Sequence, residues 1–290
     1  MIRIVTDSDA NLPEEVVDEY GIEVAPIHLV FGDEVLREGI DLTHAEAYER
    51  MSAAPELPKT SQPPVGEFTA IYQRVLSQEP DATILSIHIS LALSGTLTSA
   101  RQAADLLRDE GSQAGFHFFD TRSASLGQGL MVRQAAEMAR RGATVGQIME
   151  RLEHMRDHMH LYFVLETVDY LAKGGRIGRA AHLVSNLFEI RPILWVNDGV
   201  IDAYARHRTW KRAVQGLQDL VARNIEEAPR GGLQMGVAHG VSEAAARELA
   251  ADLCDRYTPE VFLLSQVGPG LGVHTGPGAL GVCWYLPGEP

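Results

Sequence analysis

The 290-residue chain is short of cysteine, of basic residues and of long apolar runs, and each shortage removes a class of function. Its two cysteines, Cys254 and Cys283, lie far apart in no CxxC spacing. That excludes a disulfide framework and a thiolate metal site, and fits a reducing compartment. Lys and Arg number 25 against 39 Asp and Glu, a formal net charge of −14, and no basic cluster offsets it. Phosphate neutralisation needs a basic surface, so no nucleic-acid partner is expected. No stretch approaches the ~18 uninterrupted apolar residues of a membrane span. The N-terminus runs directly into an alternating strand with Asp7 and Asp9 close behind, so neither a signal peptide nor stable membrane insertion is expected, and the predicted location is cytoplasmic. Low-complexity segments are absent, and "APELPKTSQPP", the one proline-rich stretch, reads as a loop.

What is present is a regular alternation of two periods. "IRIVTDS", "EVAPIHLVF", "ATILSIHIS" and "FHFFDT" alternate like strands, whereas "VGEFTAIYQRVL", "TLTSARQAADLL" and "GLMVRQAAEMARRG" repeat apolar residues at helical spacing. Strands alternating with helices predict an α/β fold. The length exceeds a usual single core, so two lobes are expected: an N-terminal α/β lobe over 1–160, a parallel sheet wrapped by helices, and a smaller mixed α/β lobe over 161–290. In the second half, Asn197-Asp198-Gly199 between "RPILWV" and "VIDAYARHR" predicts a hairpin, because these residues tolerate the positive φ of tight turns.

The chemistry-bearing candidates are turns. "SLALSGTLTSA" sets Ser94, Gly95 and Thr96 where a strand hands over to a helix. Such a turn could cradle a phosphate, hold a nucleophile, grip a carboxylate or merely cap the helix. It lacks the lysine of a phosphate-binding G-x-x-x-x-G-K-[ST] loop, and Ala92 stands where a G-x-S-x-G elbow needs glycine. "KTSQPPVGEF" offers Thr60 and Ser61 before a helix. Thr6 to Ser8, Ser94 to Thr96 and the turn from Asp120 together predict a polar pocket mouth at the carboxyl ends of the strands. "LAKGGRIGRA" surrounds Arg176 with glycines, a combination that lets backbone approach closely beside one fixed cation. "VGPGLGVHTGPGALG" carries His274 and Thr275 but reads into a strand, so neither it nor "SLGQGLMV" completes a dinucleotide fingerprint. "HMRDHMH" lacks the glutamate of a zinc-protease motif and reads as a solvent-facing helix.

Taken in order, "TDSDANLP", "KTSQPPVGEF", "SLALSGTLTSA", "DTRSASLGQG", "YLAKGGRIG", "RPIL" with "ARHR", and "HTGPGALG" resemble the DegV family across residues 2–286. Its members resemble fatty-acid-binding subunits of bacterial fatty acid kinase. The resemblance implies two α/β lobes with a lipid tunnel between and within them, and a long-chain fatty acid as ligand with no other cofactor. It implies that the protein is a carrier, not an enzyme, serving a separate ATP-binding kinase subunit that makes an acyl phosphate, with an acyltransferase downstream in phospholipid synthesis. Carried over residue by residue, it implies that Thr60 or Ser61, Ser94, Gly95, His274 and Thr275 hold the carboxylate, that Arg176 supplies a cation at the lobe interface or head group, and that Arg208 or Arg206 docks the kinase. The departures are Pro64 and the pair Phe188-Glu189 before "IRPIL".

The chemistry is consistent with such a ligand. One carboxylate and many methylenes call for a few donors at one end of an apolar cavity. Burying about 14 methylenes gives roughly 11 kcal/mol gross, part of it offset by immobilising the chain. The competing expectation is an enzyme using Ser94 and His274, either a serine hydrolase or a relative of the substrate-binding subunit of dihydroxyacetone kinase.

Overall fold

The computed structural model describes residues 1–186, 190–225 and 231–287, so Phe188 and Glu189 lie outside the described residues. In chain order the strands are β1 (Ile2–Asp7), β2 (Glu23–Ala25), β3 (His28–Phe31), β4 (Glu34–Arg37), β5 (Lys59–Ser61), β6 (Thr83–His88), β7 (Phe116–Asp120), β8 (Met159–Val164), β9 (Arg191–Asn197), β10 (Val200–His207), β11 (Gln234–His239), β12 (Val261–Gln266) and β13 (Leu280–Tyr285). The helices are α1 (Glu14–Tyr20), α2 (His44–Ala53), α3 (Val65–Gln78), α4 (Thr96–Asp109), α5 (Ser125–Arg140), α6 (Val145–Asp157), α7 (Asp169–Lys173), α8 (Trp210–Ile225), α9 (Glu243–Tyr257) and α10 (Pro269–Thr275).

The fold is α/β with two lobes. The first is built on a parallel sheet in the order β2-β1-β6-β7, the second on a mixed sheet in the order β10-β9-β8-β13-β11-β12. In the second sheet β11 and β12 run parallel and the other neighbours antiparallel. Parallel strands are covered on both faces and so carry apolar residues on both. In β1, Ile4 joins one core and the adjacent Val5 another. Helices α3 and α4 close the Val5 side with Phe68, Ile71, Ala100 and Ala104, and α8 and α9 close the outer face of the mixed sheet with Leu217, Leu220, Leu249 and Leu253.

Helix α5 lies between the two sheets. Its first half, Ser125 to Val132, is buried on every side, and Leu126, Leu130 and Met131 share a core with Leu85 and Ile87 of one sheet and with Leu161 and Cys283 of the other. The glycines of "SLGQG" explain how it fits. A Cβ on Gly129 would stand 2.6 Å from the Ala10 carbonyl, and one on Gly127 would stand 2.3 Å from Ser123 Oγ.

Asn197-Asp198-Gly199 forms the expected tight turn, with φ of 51° at Asp198 and 80° at Gly199, joining β9 to β10. Its tip rests on the first lobe: Ser90 Oγ donates to the Gly199 carbonyl at 2.8 Å, and Arg122 pairs with Asp198 at 2.9 Å.

Two local expectations are corrected and a third is extended. "EVAPIHLVF" is two strands in different sheets, because Pro26, with no N–H to donate, ends β2, and β3 then turns into a small antiparallel sheet ordered β4-β3-β5. "VGPGLGVHTGPGALG" reads into a strand as expected, β13, but its first part also forms a short helix that the sequence did not announce, α10, with Pro269 in its first turn, where a missing N–H costs nothing. The histidines of "HMRDHMH" are half-buried: His154 and His158 stack at 4.3 Å, and His154 Nδ1 lies 2.9 Å from the Tyr285 hydroxyl.

Candidate functional site

A cavity opens where the lobes meet. Its walls are largely apolar, among them Ile27, Ile89, Leu161, Phe163, Val267 and Leu271, and its polar side chains include Thr60, Ser61, Ser94, Arg176, His274 and Thr275. Six residues singled out from the sequence thus share one cavity. Arg206 and Arg208 are exposed at the end of β10 and take no part in its lining, and Thr6 to Ser8 are also absent from it. Asp7 is buried instead in a polar chain. Its Oδ2 lies 2.7 Å from His88 Nδ1, whose other ring nitrogen is 2.7 Å from Ser86 Oγ, while Gln128 donates to Asp7 and Thr6 at 3.1 Å. Of the three strand ends expected to form a polar mouth, two reach the cavity, the Ser94 turn and, through Ser125, the turn that follows Asp120.

Each side chain is delivered by a distinct device. Thr60 sits on β5, held opposite Leu29 of β3. His274 rides on α10, which packs close only because its interior is glycine-rich: a Cβ on Gly272 would stand 2.5 Å from the Tyr48 hydroxyl, itself bonded to the Val267 carbonyl at 2.9 Å. Thr60 Oγ1 and His274 Nε2 meet at 2.8 Å. His274 Nδ1 is buried without a partner, and the side facing it is Gly174, where a Cβ would stand 2.1 Å from that nitrogen. The glycine after α7 therefore does more than end a helix. Burial, reinforced by the Arg176 cation, pushes the His274 imidazole down to about 4, so the ring is neutral at pH 7.

Arg176 ties the mouth together, donating from Nη1 to the Gly174 carbonyl at 2.7 Å and from Nε to the Leu93 carbonyl at 3.4 Å. Ser94 and Thr96 exchange a 2.8 Å hydrogen bond, and Gly95 occupies the N-cap of α4, where no side chain caps the first turn. Thr98 N–H turns back to the Gly95 carbonyl at 2.9 Å, and the helix end ahead of it is a place where the dipole favours an anion. Thr275 bonds back to the Leu271 carbonyl at 3.1 Å.

Sequence reasoning missed three lining or supporting residues. Gln62 also lines the mouth, and its amide lies so close to Gly95 that a Cβ there would stand 2.7 Å from it. Asp9 lines the cavity, only 5% exposed, and Glu38 lies behind it, only 3% exposed. Burial holds the Asp9 carboxyl well above the usual carboxylate range, with Asp7 and Glu38 adding to the effect and Arg176 opposing it. Burial likewise raises Glu38 to about 7, against hydrogen bonds from Ser8 Oγ, at 2.6 Å, and from the Gly270 backbone. The available signal was the second aspartate of "TDSDANLP", two residues past the end of a strand.

Chemically, the arrangement offers hydroxyls, a neutral imidazole and a guanidinium within largely apolar walls, donors of the kind that can hold an anionic group. A serine hydrolase needs its base on the nucleophile and a third group orienting that base. Here the imidazole faces Thr60, Ser94 faces Thr96, and Nδ1 has no orienting partner. Among the described residues, no group of three His, Cys, Asp or Glu is placed to hold a metal, and no helix is long and apolar enough to cross a membrane.

Comparison with known proteins agrees with this architecture. Residues 1–286 match the family model described as "Uncharacterised protein, DegV family". Protein DegV of Bacillus subtilis (strain 168) is 35% identical over 285 residues, 98% of each chain. Among solved structures, a DegV family protein from Thermus thermophilus, described by its fatty acid binding, superposes with a TM-score of 0.89 at 30% identity over 98% of this chain and 99% of that one. DegV of Bacillus subtilis, described as a fatty acid binding protein, gives 0.87 at 32% identity over 98% and 99%.

Proposed function

The chain belongs to the DegV family, and from that premise we propose that it binds one long-chain fatty acid, with the carboxylate at Thr60, Ser61, Ser94, Gly95, His274 and Thr275 and the tail along the apolar walls. The observation that carries the reading is the Thr60–His274 contact in the wall of a largely apolar cavity. Fatty-acid binding as described for the Thermus thermophilus and Bacillus subtilis structures supports it. The tail supplies most of the affinity through area removed from water, and the donors fix which end enters last. Arg176, anchored to carbonyls of both lobes, lends positive charge to the head group without spending its whole fork on it.

In the fuller reading, the protein is a non-catalytic cytoplasmic carrier with lobes at 1–160 and 161–290. A separate ATP-binding kinase subunit docks at the exposed Arg208 and Arg206, phosphorylates the bound carboxylate, and the acyl phosphate passes to an acyltransferase. Native mass spectrometry of protein purified from a heterologous host should show one equivalent of a long-chain acid. Empty protein that also fails to take up labelled palmitate would sink the proposal.

A further inference from the structure

Asp9 is a carboxylic acid in the wall of an apolar cavity, and nothing assigned so far uses it. It sits in the single turn Ser8–Ala10 that follows β1, is only 5% exposed, and its Oδ1 is buried with no hydrogen-bond partner. Natural proteins rarely leave such an atom unpaired, because the loss of water is not repaid. The cavity, which Asp9 lines, is where a partner can arrive.

The depth of that position can be read from α10. Gly270 and His274 are four residues apart and both line the cavity, so they lie on one face about one helical turn, ~5.4 Å, from each other. A Cβ on Gly270 would stand 3.0 Å from Asp9 Oδ1, which puts the acid beside Gly270, a turn away from the imidazole that faces Thr60. Ser125 lines the same cavity, 8% exposed and held at a left-handed φ of 48°. It donates its proton to Asn11 Oδ1 at 2.9 Å and so keeps an oxygen lone pair free to accept. Burial, with Asp7 and Glu38 adding to it and Arg176 opposing, raises the Asp9 carboxyl well above the usual carboxylate range, which favours the protonated acid that donates as well as accepts. The substituent that both donates and accepts in this way is a hydroxyl.

We infer that the cavity selects acyl chains carrying a hydroxyl a few carbons from the carboxylate, and that Asp9 is the residue that reads it. The inference rests on the fatty-acid reading above. An unsubstituted chain lays a methylene against an unpaired acid, whereas a hydroxylated chain pairs it, and sites built to hydrogen-bond a substrate hydroxyl reject the analogue lacking it far more strongly than apolar pockets reject a size change.

The test measures dissociation constants of palmitate, β-hydroxypalmitate and ω-hydroxypalmitate for the wild-type chain, Asp9→Leu and Asp9→Asn, with a thermal melt of each variant. In the wild type, β-hydroxypalmitate should bind roughly tenfold or more tighter than palmitate, and ω-hydroxypalmitate should gain nothing. Asp9→Leu should reverse the order, binding palmitate more tightly and the β-hydroxy acid less. Asp9→Asn, which retains a neutral donor and acceptor at nearly the same size, should keep the wild-type order even if Asp9→Leu does not fold. Equal binding of palmitate and the β-hydroxy acid by the wild type overturns the inference while leaving the fatty-acid reading intact. So does a preference that survives in Asp9→Leu, or one lost in a folded Asp9→Asn. Failure of all three acids to bind the wild type overturns both.

Discussion

Thr60 and His274, 214 positions apart in the chain, are joined by a 2.8 Å hydrogen bond between a strand of the small antiparallel sheet and a glycine-rich helix from the other end of the sequence. The pair lies in the wall of a largely apolar cavity, and removing either member leaves the other without this partner. Thr60→Val keeps the shape and deletes the hydroxyl. It should weaken palmitate binding by roughly three- to tenfold, the worth of one hydrogen bond, because the tail carries the rest. Equilibrium binding of labelled palmitate checks this, and an unchanged constant would remove Thr60 from the head-group site.

Gly174→Ala should be costly out of proportion to its size. The added Cβ would stand 2.1 Å from His274 Nδ1, so the ring must leave Thr60 or the α7 end must shift. Overpacking of this kind costs typically 1–3 kcal/mol. Urea denaturation gives the loss, and combining the change with His274→Ala should recover most of it. A double variant no more stable than Gly174→Ala alone would show that the clash lies elsewhere.

Stability should depend on pH through two buried groups of opposite sign. Glu38, raised to about 7, keeps its proton in the folded chain after the unfolded chain has lost it, so its contribution is full below the ordinary carboxylate pKa and falls as pH rises to 7. The drop is about 3 kcal/mol, and Glu38→Gln should abolish it. Asp9, shifted in the same direction, adds to the decline. His274, lowered to about 4, does the reverse. Its contribution is full above the ordinary imidazole pKa and is lost as pH falls toward 4, by a similar amount, so His274→Ala should flatten the acid limb. Urea unfolding from pH 4 to 8 separates the two. A Glu38→Gln profile parallel to wild type would contradict the assignment.

Arg208→Glu, on the exposed end of the hairpin and outside the cavity lining, should leave palmitate affinity as it is and prevent acyl-phosphate formation by a cognate kinase subunit. Radiolabelled phosphoryl transfer alongside a lipid-binding assay reads both. Loss of lipid from the variant would contradict its placement.

The architecture was readable in the chain wherever one period ran unbroken. The alternation in "IRIVTDS", the helical repeat of "TLTSARQAADLL" and the Asn-Asp-Gly turn all reappear as strand, helix and hairpin. Reading failed where tertiary contact outweighs local preference. Seven residues as rich in glycine as "PGLGVHT" have poor intrinsic helicity, yet they coil because only a surface without side chains passes Tyr48, Glu38 and Asp9. Lys59–Ser61 is too short to announce a strand and exists because β3 pairs with it. The place of the Ser94 turn at the cavity was suggested by its composition and its position between a strand and a helix. Asp9 was not, because a lone aspartate after a strand reads the same whether it faces water or a closed cavity.

The strand Leu280–Tyr285 lies in the interior of its sheet, between Met159–Val164 and Gln234–His239, though it follows both in sequence. A chain emerging from its N-terminal end can therefore complete the parallel sheet once residue 120 has appeared, whereas the second sheet keeps a vacant centre until residue 285 has been made. The helix that brings His274 ends only a few residues before that strand. Synthesis thus reaches the His274–Thr275 part of the cavity lining and the keystone of the second sheet almost together. A nascent chain that has not yet reached residue 285 therefore holds the parallel sheet but neither a closed second sheet nor the full lining of the cavity between them.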